Sequence, residues 1–229
     1  MKRKIRIMIG FAMLFAMVCA APVMAQGATV DGYYDDWAGV PGTSITYGSH
    51  NASGTIQEYH SGAMLVSGEH LYVHVQMNDL YQQQIPIDEL VLTINGQSRT
   101  FIIRKRNADN TINWDQSVYG LAEGNHTDLG VFYRDGGYLA LGEAAITISQ
   151  APNDRFEFRM NIAELESLYG FEPGTVGNGA TLEFYSPNIG PEKVTVAGSS
   201  TGTYIGILLC VAVVFASLVG QKRRKQAYS

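Results

Sequence analysis

The chain has 229 residues, two cysteines and a formal net charge of −5, and that net value conceals a sharp sorting of charge. Lys2, Arg3, Lys4 and Arg6 sit at one tip and Lys222, Arg223, Arg224 and Lys225 at the other; all 21 Asp and Glu lie between, against eight basic residues, a local balance of −13. An acidic middle repels phosphate backbones, which argues against a nucleic-acid partner; with Cys19 and Cys210 both in apolar terminal runs, the middle has no disulfide, thiolate zinc site or cysteine nucleophile.

In chain order, the first element reads as a signal peptide over residues 1–25. A basic start precedes the apolar run Ile7 to Ala21, and Val23-Met24-Ala25 offers small residues for cleavage after Ala25. The run falls short of the ~20 residues that a membrane span needs. Residues 26–197 form one domain's worth of chain, with an expected location outside the cell.

Strand signals dominate this domain. His70 to Met77 alternates, with Leu71, Val73, Val75 and Met77 on one face. Glu89 to Ile94 and Arg99 to Arg104 flank Asn95-Gly96, a pair suited to the positive φ angles of a type I′ hairpin turn. Leu129 to Arg134 and Tyr138 to Ile148 flank Asp135-Gly136-Gly137 in a second hairpin. Arg155 to Met160 alternates again, and Thr181 to Tyr185 and Lys193 to Val196 supply two more strands. One helix is expected from Ile162 to Tyr169, capped by Asn161 and closed by Gly170. Many short antiparallel strands with one short helix predict an all-β fold, an antiparallel β-sandwich of jelly-roll type.

The last elements are a small-residue stalk at 198–203, an uncharged apolar run at 204–220 and a basic tail at 221–229. The apolar run would span roughly 25 Å as a helix, slightly short of a ~30 Å hydrocarbon core, and its lack of charge predicts a single transmembrane segment. Lys222 to Lys225 then place the tail in the cytoplasm by the positive-inside rule. The layout from Ser199 to Lys225 resembles the Firmicu-CTERM type of C-terminal sorting domain, which implies display on a membrane surface in Firmicutes. There is no LPxTG-like motif for sortase attachment.

At the start of the predicted domain stands Thr29-Val30-Asp31-Gly32-Tyr33-Tyr34-Asp35-Asp36-Trp37. It resembles the opening I-D-G-x-x-D-x-W of family 9 carbohydrate-binding modules and their DOMON-like relatives. Leu71 to Val75 followed by Asn78-Asp79 is similar to the family's central strand and its acidic turn. Arg155 to Met160 followed by Ala163-Glu164-Leu165 is similar to its later strand and helical turn. The resemblance implies a jelly-roll sandwich that binds glycans, often with a structural calcium; some relatives bind haem through an axial Met and His.

The residues themselves give a complementary reading. Asp31, Gly32 and Trp37 suit a tight turn beside a buried ring. Trp114 differs, lying in the polar stretch Asn107 to Asp115. An exposed indole stacks on the C–H face of a sugar while neighbours such as Asn113 and Asp115 take its hydroxyls; the same ring could instead fold over a sheet edge. Tyr119 and Tyr81 are further candidates for ligand binding. Asp35, Asp79 and Asp109 are the candidate calcium ligands among the loop acids. His70 and His74 cannot share a metal ion on a strand, where residues four apart stand about 13 Å apart. The adjacent acids Asp88 and Glu89 would face opposite ways on a strand. No catalytic signature is present, so no enzymatic activity is expected. The expected partner is a glycan or, if the domain is structural or adhesive, another surface protein.

Overall fold

The computed structural model describes residues 28–47, 58–78, 88–149 and 154–198. The expected signal peptide, the stalk from residue 199 onward, the transmembrane run and the basic tail lie outside the described residues, as do Asp79 and Tyr81. Among the described residues no helix is long and apolar enough to cross a membrane.

The expected strand segments, with two further strands ahead of them, form ten described strands: β1 (Gly42–Tyr47), β2 (Glu58–Ser67), β3 (His70–Gln76), β4 (Leu90–Ile94), β5 (Gln97–Lys105), β6 (Gly124–Tyr133), β7 (Leu139–Ile148), β8 (Arg155–Asn161), β9 (Thr181–Tyr185) and β10 (Val194–Ala197). Every pairing is antiparallel. Among the described residues the fold is therefore mostly antiparallel β with one α-helix. Asn95 and Gly96 have φ of 48° and 82°, as the tight β4–β5 turn requires. Helix α1 (Ile162–Tyr169) follows β8 directly: Asn161 accepts from the Glu164 N–H at 3.2 Å, and Gly170 closes it with φ 72°.

Hydrogen bonds join all ten strands into one continuous sheet, in the order β1-β2-β3-β8-β7-β6-β5-β4-β9-β10. The sheet curls until its ends meet, close to a barrel. Glu192, just before β10, accepts from the Thr46 N–H at 2.8 Å and from its hydroxyl at 2.5 Å. Two glycines make this seam. A Cβ on Gly62 would lie 2.6 Å from Val194 Cγ2, and one on Gly190 would lie 2.4 Å from Ile45 Cγ2 and 2.7 Å from the Thr46 carbonyl oxygen.

The inner face carries the main core. Leu71, Val73 and Val75 of β3, Phe156, Phe158 and Met160 of β8, Leu92 and Ile94 of β4, and Phe184 of β9 are all essentially inaccessible. Each such side chain contributes about 1.5–3 kcal/mol relative to exposure. Met64 and Met77 belong to this core as well. Helix α1 adds Leu165 and Tyr169, whose hydroxyl donates to the Leu92 carbonyl at 2.6 Å. The buried Glu166 carboxylate accepts from the Gly174 and Val176 N–H groups at 2.8 and 2.7 Å, which ties the following loop to the helix.

The outer face is covered at two places. Over β2 and β3 lies the segment before β1, where Ala28 and Trp37 pack with Ala63 and Tyr72 in a second cluster, flanked by Tyr34, Val40 and Leu65. Over β5, β6 and β7 lies the loop after β5, where Ile112 packs on Ile102, Phe132 and Ala140. That second covering sets the position of Trp114.

Candidate ligand-binding site

The Asp31-Gly32…Trp37 motif is structural. It closes on Glu157 of β8, whose side chain is 0% exposed. One carboxylate oxygen accepts the Asp31 and Gly32 N–H groups at 3.1 and 2.9 Å, and the other accepts the Trp37 indole N–H at 2.8 Å. Gly32 has φ 77°, and the Asp31 side chain accepts from the Tyr33 N–H at 2.8 Å, which makes the turn. Burial raises the Glu157 carboxyl pKa above its usual range, against the lowering effect of those three donors.

Beside Glu157 in register lies His74 of β3. Its ring stacks on Trp37 at 5.1 Å and tilts against Tyr34 at 5.0 Å. Burial, aided by the Arg155 guanidinium, lowers its pKa to about 4, so the imidazole is neutral at pH 7. His70 packs beside Tyr72 at 5.9 Å, so the two histidines have separate surroundings. Met64 and Met77 sit in the inner core while His74 lies under Trp37 on the outer face.

Trp114 has the opposite environment, with 63% of its surface exposed against 7% for Trp37. Ile112 anchors its loop to the sheet and Asn113 donates its N–H to the Lys105 carbonyl at 2.9 Å. The indole meets Tyr138 edge-on at 5.2 Å and 81°, a contact worth about 0.5–1.5 kcal/mol, which holds the ring in place.

These two rings border a groove of about 320 Å³ lined by Asp88, Glu89, Ile102, Arg104, Trp114, Arg134 and Tyr138. Arg104 pairs with Asp88 at 2.5 Å and Arg134 with Glu89 at 3.3 Å. Arg104 also donates to the Ile103 carbonyl at 2.8 Å, so its guanidinium is fixed at both ends. The Tyr119 hydroxyl donates to the second oxygen of Asp88. Burial and that carboxylate push its pKa up to about 12. The groove thus has an aromatic wall, an apolar floor at Ile102, and two ion pairs with lone pairs and N–H groups left for hydroxyl ligands.

No family model, curated protein or solved structure matches this chain. The site must be read from its own residues.

Among the predicted binding residues, Trp114 lines the groove and Tyr119 joins it through Asp88. Asn113 and Asp115 share the Trp114 loop but do not line the groove. The Asn113 amide oxygen instead accepts from the Asp115 N–H at 3.1 Å, shaping the turn that presents the indole. Asp88 and Glu89 correct the expectation drawn from strand geometry. They precede β4, and Glu89 has φ 58°, which turns the chain so that both carboxylates line one groove. Sequence reasoning missed Arg104, Arg134 and Tyr138. Tyr138 has φ 61° after the Asp135-Gly136-Gly137 turn, and that turn is the signal that could have marked it as presented outward.

Of the candidate calcium ligands, Asp35 and Asp109 lie among the described residues. Asp109 is committed to Thr111, accepting from its N–H at 3.1 Å and its hydroxyl at 2.6 Å, and this holds its pKa down. Asp35 lies on a short 3-10 turn, Asp35–Trp37. Among the described residues no three His, Cys, Asp or Glu side chains converge to hold a metal ion.

Proposed function

We propose that this protein is a non-catalytic carbohydrate-binding module of jelly-roll sandwich type, displayed outside the cell and held at the membrane by its C-terminal apolar run. The observation that carries the binding reading is the solvent-facing Trp114, braced by Tyr138 and set beside two Arg–carboxylate pairs. An apolar ring face next to paired donors and acceptors complements a sugar, which offers C–H groups on one face and hydroxyls at its edges. The Asp31-Gly32…Trp37 opening, locked on Glu157, supports kinship with the family 9 modules at the level of motif. In this chain Trp37 is consumed by that lock, so binding rests on Trp114 and Tyr138.

The display reading is supported by the charge sorting along the chain, with basic clusters confined to both tips. The binding experiment is affinity electrophoresis of the protein through gels containing neutral polysaccharides. Wild type is expected to be retarded on at least one polymer, and Trp114→Ala to run freely. Equal mobility of both proteins on every polymer would favour the rival reading, an adhesive surface in which exposed Leu139, Tyr138 and Trp114 meet another protein.

A further inference from the structure

A second groove, of about 250 Å³, opens on the same outer face of the sheet and is lined by His70, Arg106, Asn110, Glu143, Arg159 and Glu164, among others. The pairing register relates the two grooves. Arg104, Gly130, Glu143 and Arg159 lie along one row across β5, β6, β7 and β8. Arg104 lines the first groove, while Glu143 and Arg159 line the second. The row puts Glu143 two strand spacings from Arg104, roughly 10 Å, and Arg159 one spacing further. Between them stands Gly130, where a Cβ would lie 2.8 Å from the Phe132 ring and 3.4 Å from Arg106 Cδ. Absence of a side chain there lets the Phe132 ring and the Arg106 stem lie across the row. Ala140, in the cluster of Ile102, Ile112 and Phe132, forms part of the second groove's wall, so one apolar ridge separates the grooves.

Both grooves are charge-balanced. The first holds Arg104 and Arg134 against Asp88 and Glu89. The second holds Arg106 and Arg159 against Glu143 and Glu164. Arg159 is paired with Glu143 at 2.6 Å, and among the described residues Arg106 and Glu164 have no ion-pair partner. The second groove therefore offers a free guanidinium fork, a free carboxylate and the Asn110 amide, a mixed set of donors and acceptors that suits hydroxyls rather than a charged group.

Resting on the carbohydrate reading of the Trp114 groove, we propose that the second groove is a second subsite, and that the ligand is an uncharged oligosaccharide long enough to reach from Trp114 across the ridge to Arg106. One sugar ring stacks at Trp114. A later ring of the same chain places its hydroxyls among Arg106, Asn110 and Glu164.

The test is calorimetric titration of the full-length protein in detergent micelles with glucose, xylose and mannose oligomers, each from monomer to hexamer, and with the matching oligogalacturonates. Affinity is expected to rise with length for a neutral series and to level off once both grooves are filled. Arg106→Ala is expected to weaken the long oligomers about 10-fold and leave monomer and dimer unchanged. Asn110→Gly, which keeps the positive φ of 64° at that position, is expected to act in the same direction without risk to the fold. Trp114-dependent binding that is already maximal with the monomer, and indifferent to both variants, would overturn the second subsite and leave the first groove's reading standing. Tighter binding of the oligogalacturonates than of every neutral series would overturn the uncharged ligand. No binding of any oligomer would overturn this inference together with the reading on which it rests.

Discussion

The Trp37 indole donates to the Glu157 carboxylate at 2.8 Å across 120 residues of sequence. Through this bond the segment before β1 is clamped to the middle of the sheet. The same carboxylate holds the Asp31 and Gly32 N–H groups, so one buried side chain satisfies three donors. Glu157→Gln leaves one acceptor oxygen and turns an NH2 group toward the remaining donors. It is expected to lower stability by about 1–3 kcal/mol. Trp37→Phe, which removes one donor and part of the ring, should cost a similar amount. Urea unfolding followed by circular dichroism measures both, and an unchanged midpoint for Glu157→Gln would show that the clamp contributes nothing.

Acid should loosen this region through His74. Its folded pKa of about 4 lies below the ordinary histidine value of 6.5, so the unfolded chain binds the proton first. The stability His74 contributes is fully present above pH 6.5 and is lost as pH falls toward 4, a change on the order of 3 kcal/mol. Glu157 acts with the opposite sign. Its folded pKa is raised, so its protonation favours the folded state at low pH, and that contribution fades as pH rises through the folded value. Arg155, whose guanidinium lies over the Tyr34 ring at 5.3 Å, is the facing cation and opposes a charge on His74. Unfolding midpoints between pH 7 and pH 4 should fall for wild type, flatten for His74→Phe and steepen for Glu157→Gln. A wild-type profile that is level over this range would contradict the assignment.

The seam where the sheet ends meet depends on absent side chains. Gly190→Ala places a methyl group 2.7 Å from the Thr46 carbonyl oxygen, backbone that cannot swing away, and should cost about 1–3 kcal/mol or more. Gly62→Ala meets only the ends of Val194 and Ile45 and should cost less. Thermal unfolding of the two variants orders them, and the reverse order would sink this account of the closure.

In the groove, Asp88 is the acceptor shared by Arg104 and Tyr119. Asp88→Asn removes the charge that pairs with Arg104 and leaves one acceptor oxygen for two donors, and is expected to weaken glycan binding about 10-fold. Because the pair is partly open to solvent, folding stability should change by less than about 1 kcal/mol. Titration calorimetry and thermal unfolding separate the two effects; a large stability loss with intact affinity would reassign Asp88 to the scaffold.

Much of this architecture was legible in the sequence because apolar alternation reports a half-buried strand directly. β3, β5 and β8, the Asn95-Gly96 turn and helix α1 with its Asn161 cap and Gly170 stop follow from local chemistry. β1 and β2 did not stand out. β2 places Gly62 and the buried His60 at inner positions, where the pattern calls for large apolar residues, and the reason for Gly62 is the seam with Val194, a contact far away in sequence. Trp114 was legible as an exposed ring in a polar loop. Its partners were not, since Tyr138, Asp88, Glu89, Arg104 and Arg134 come together only when β4, β5 and the β6–β7 turn are side by side. The burial of Glu157 was also hidden, because its apolar covering comes from residues 120 positions earlier.

The account centres on Trp114 as the contact for sugar, and the chain has only one other tryptophan, Trp37, which is buried. Acrylamide quenching of tryptophan fluorescence, with and without a saturating oligosaccharide from the retained series, therefore reports on Trp114 almost alone. The account predicts strong quenching in the free protein that falls on saturation to the level of Trp114→Ala. Binding that leaves the quenching of wild type unchanged would show that sugar does not meet this ring.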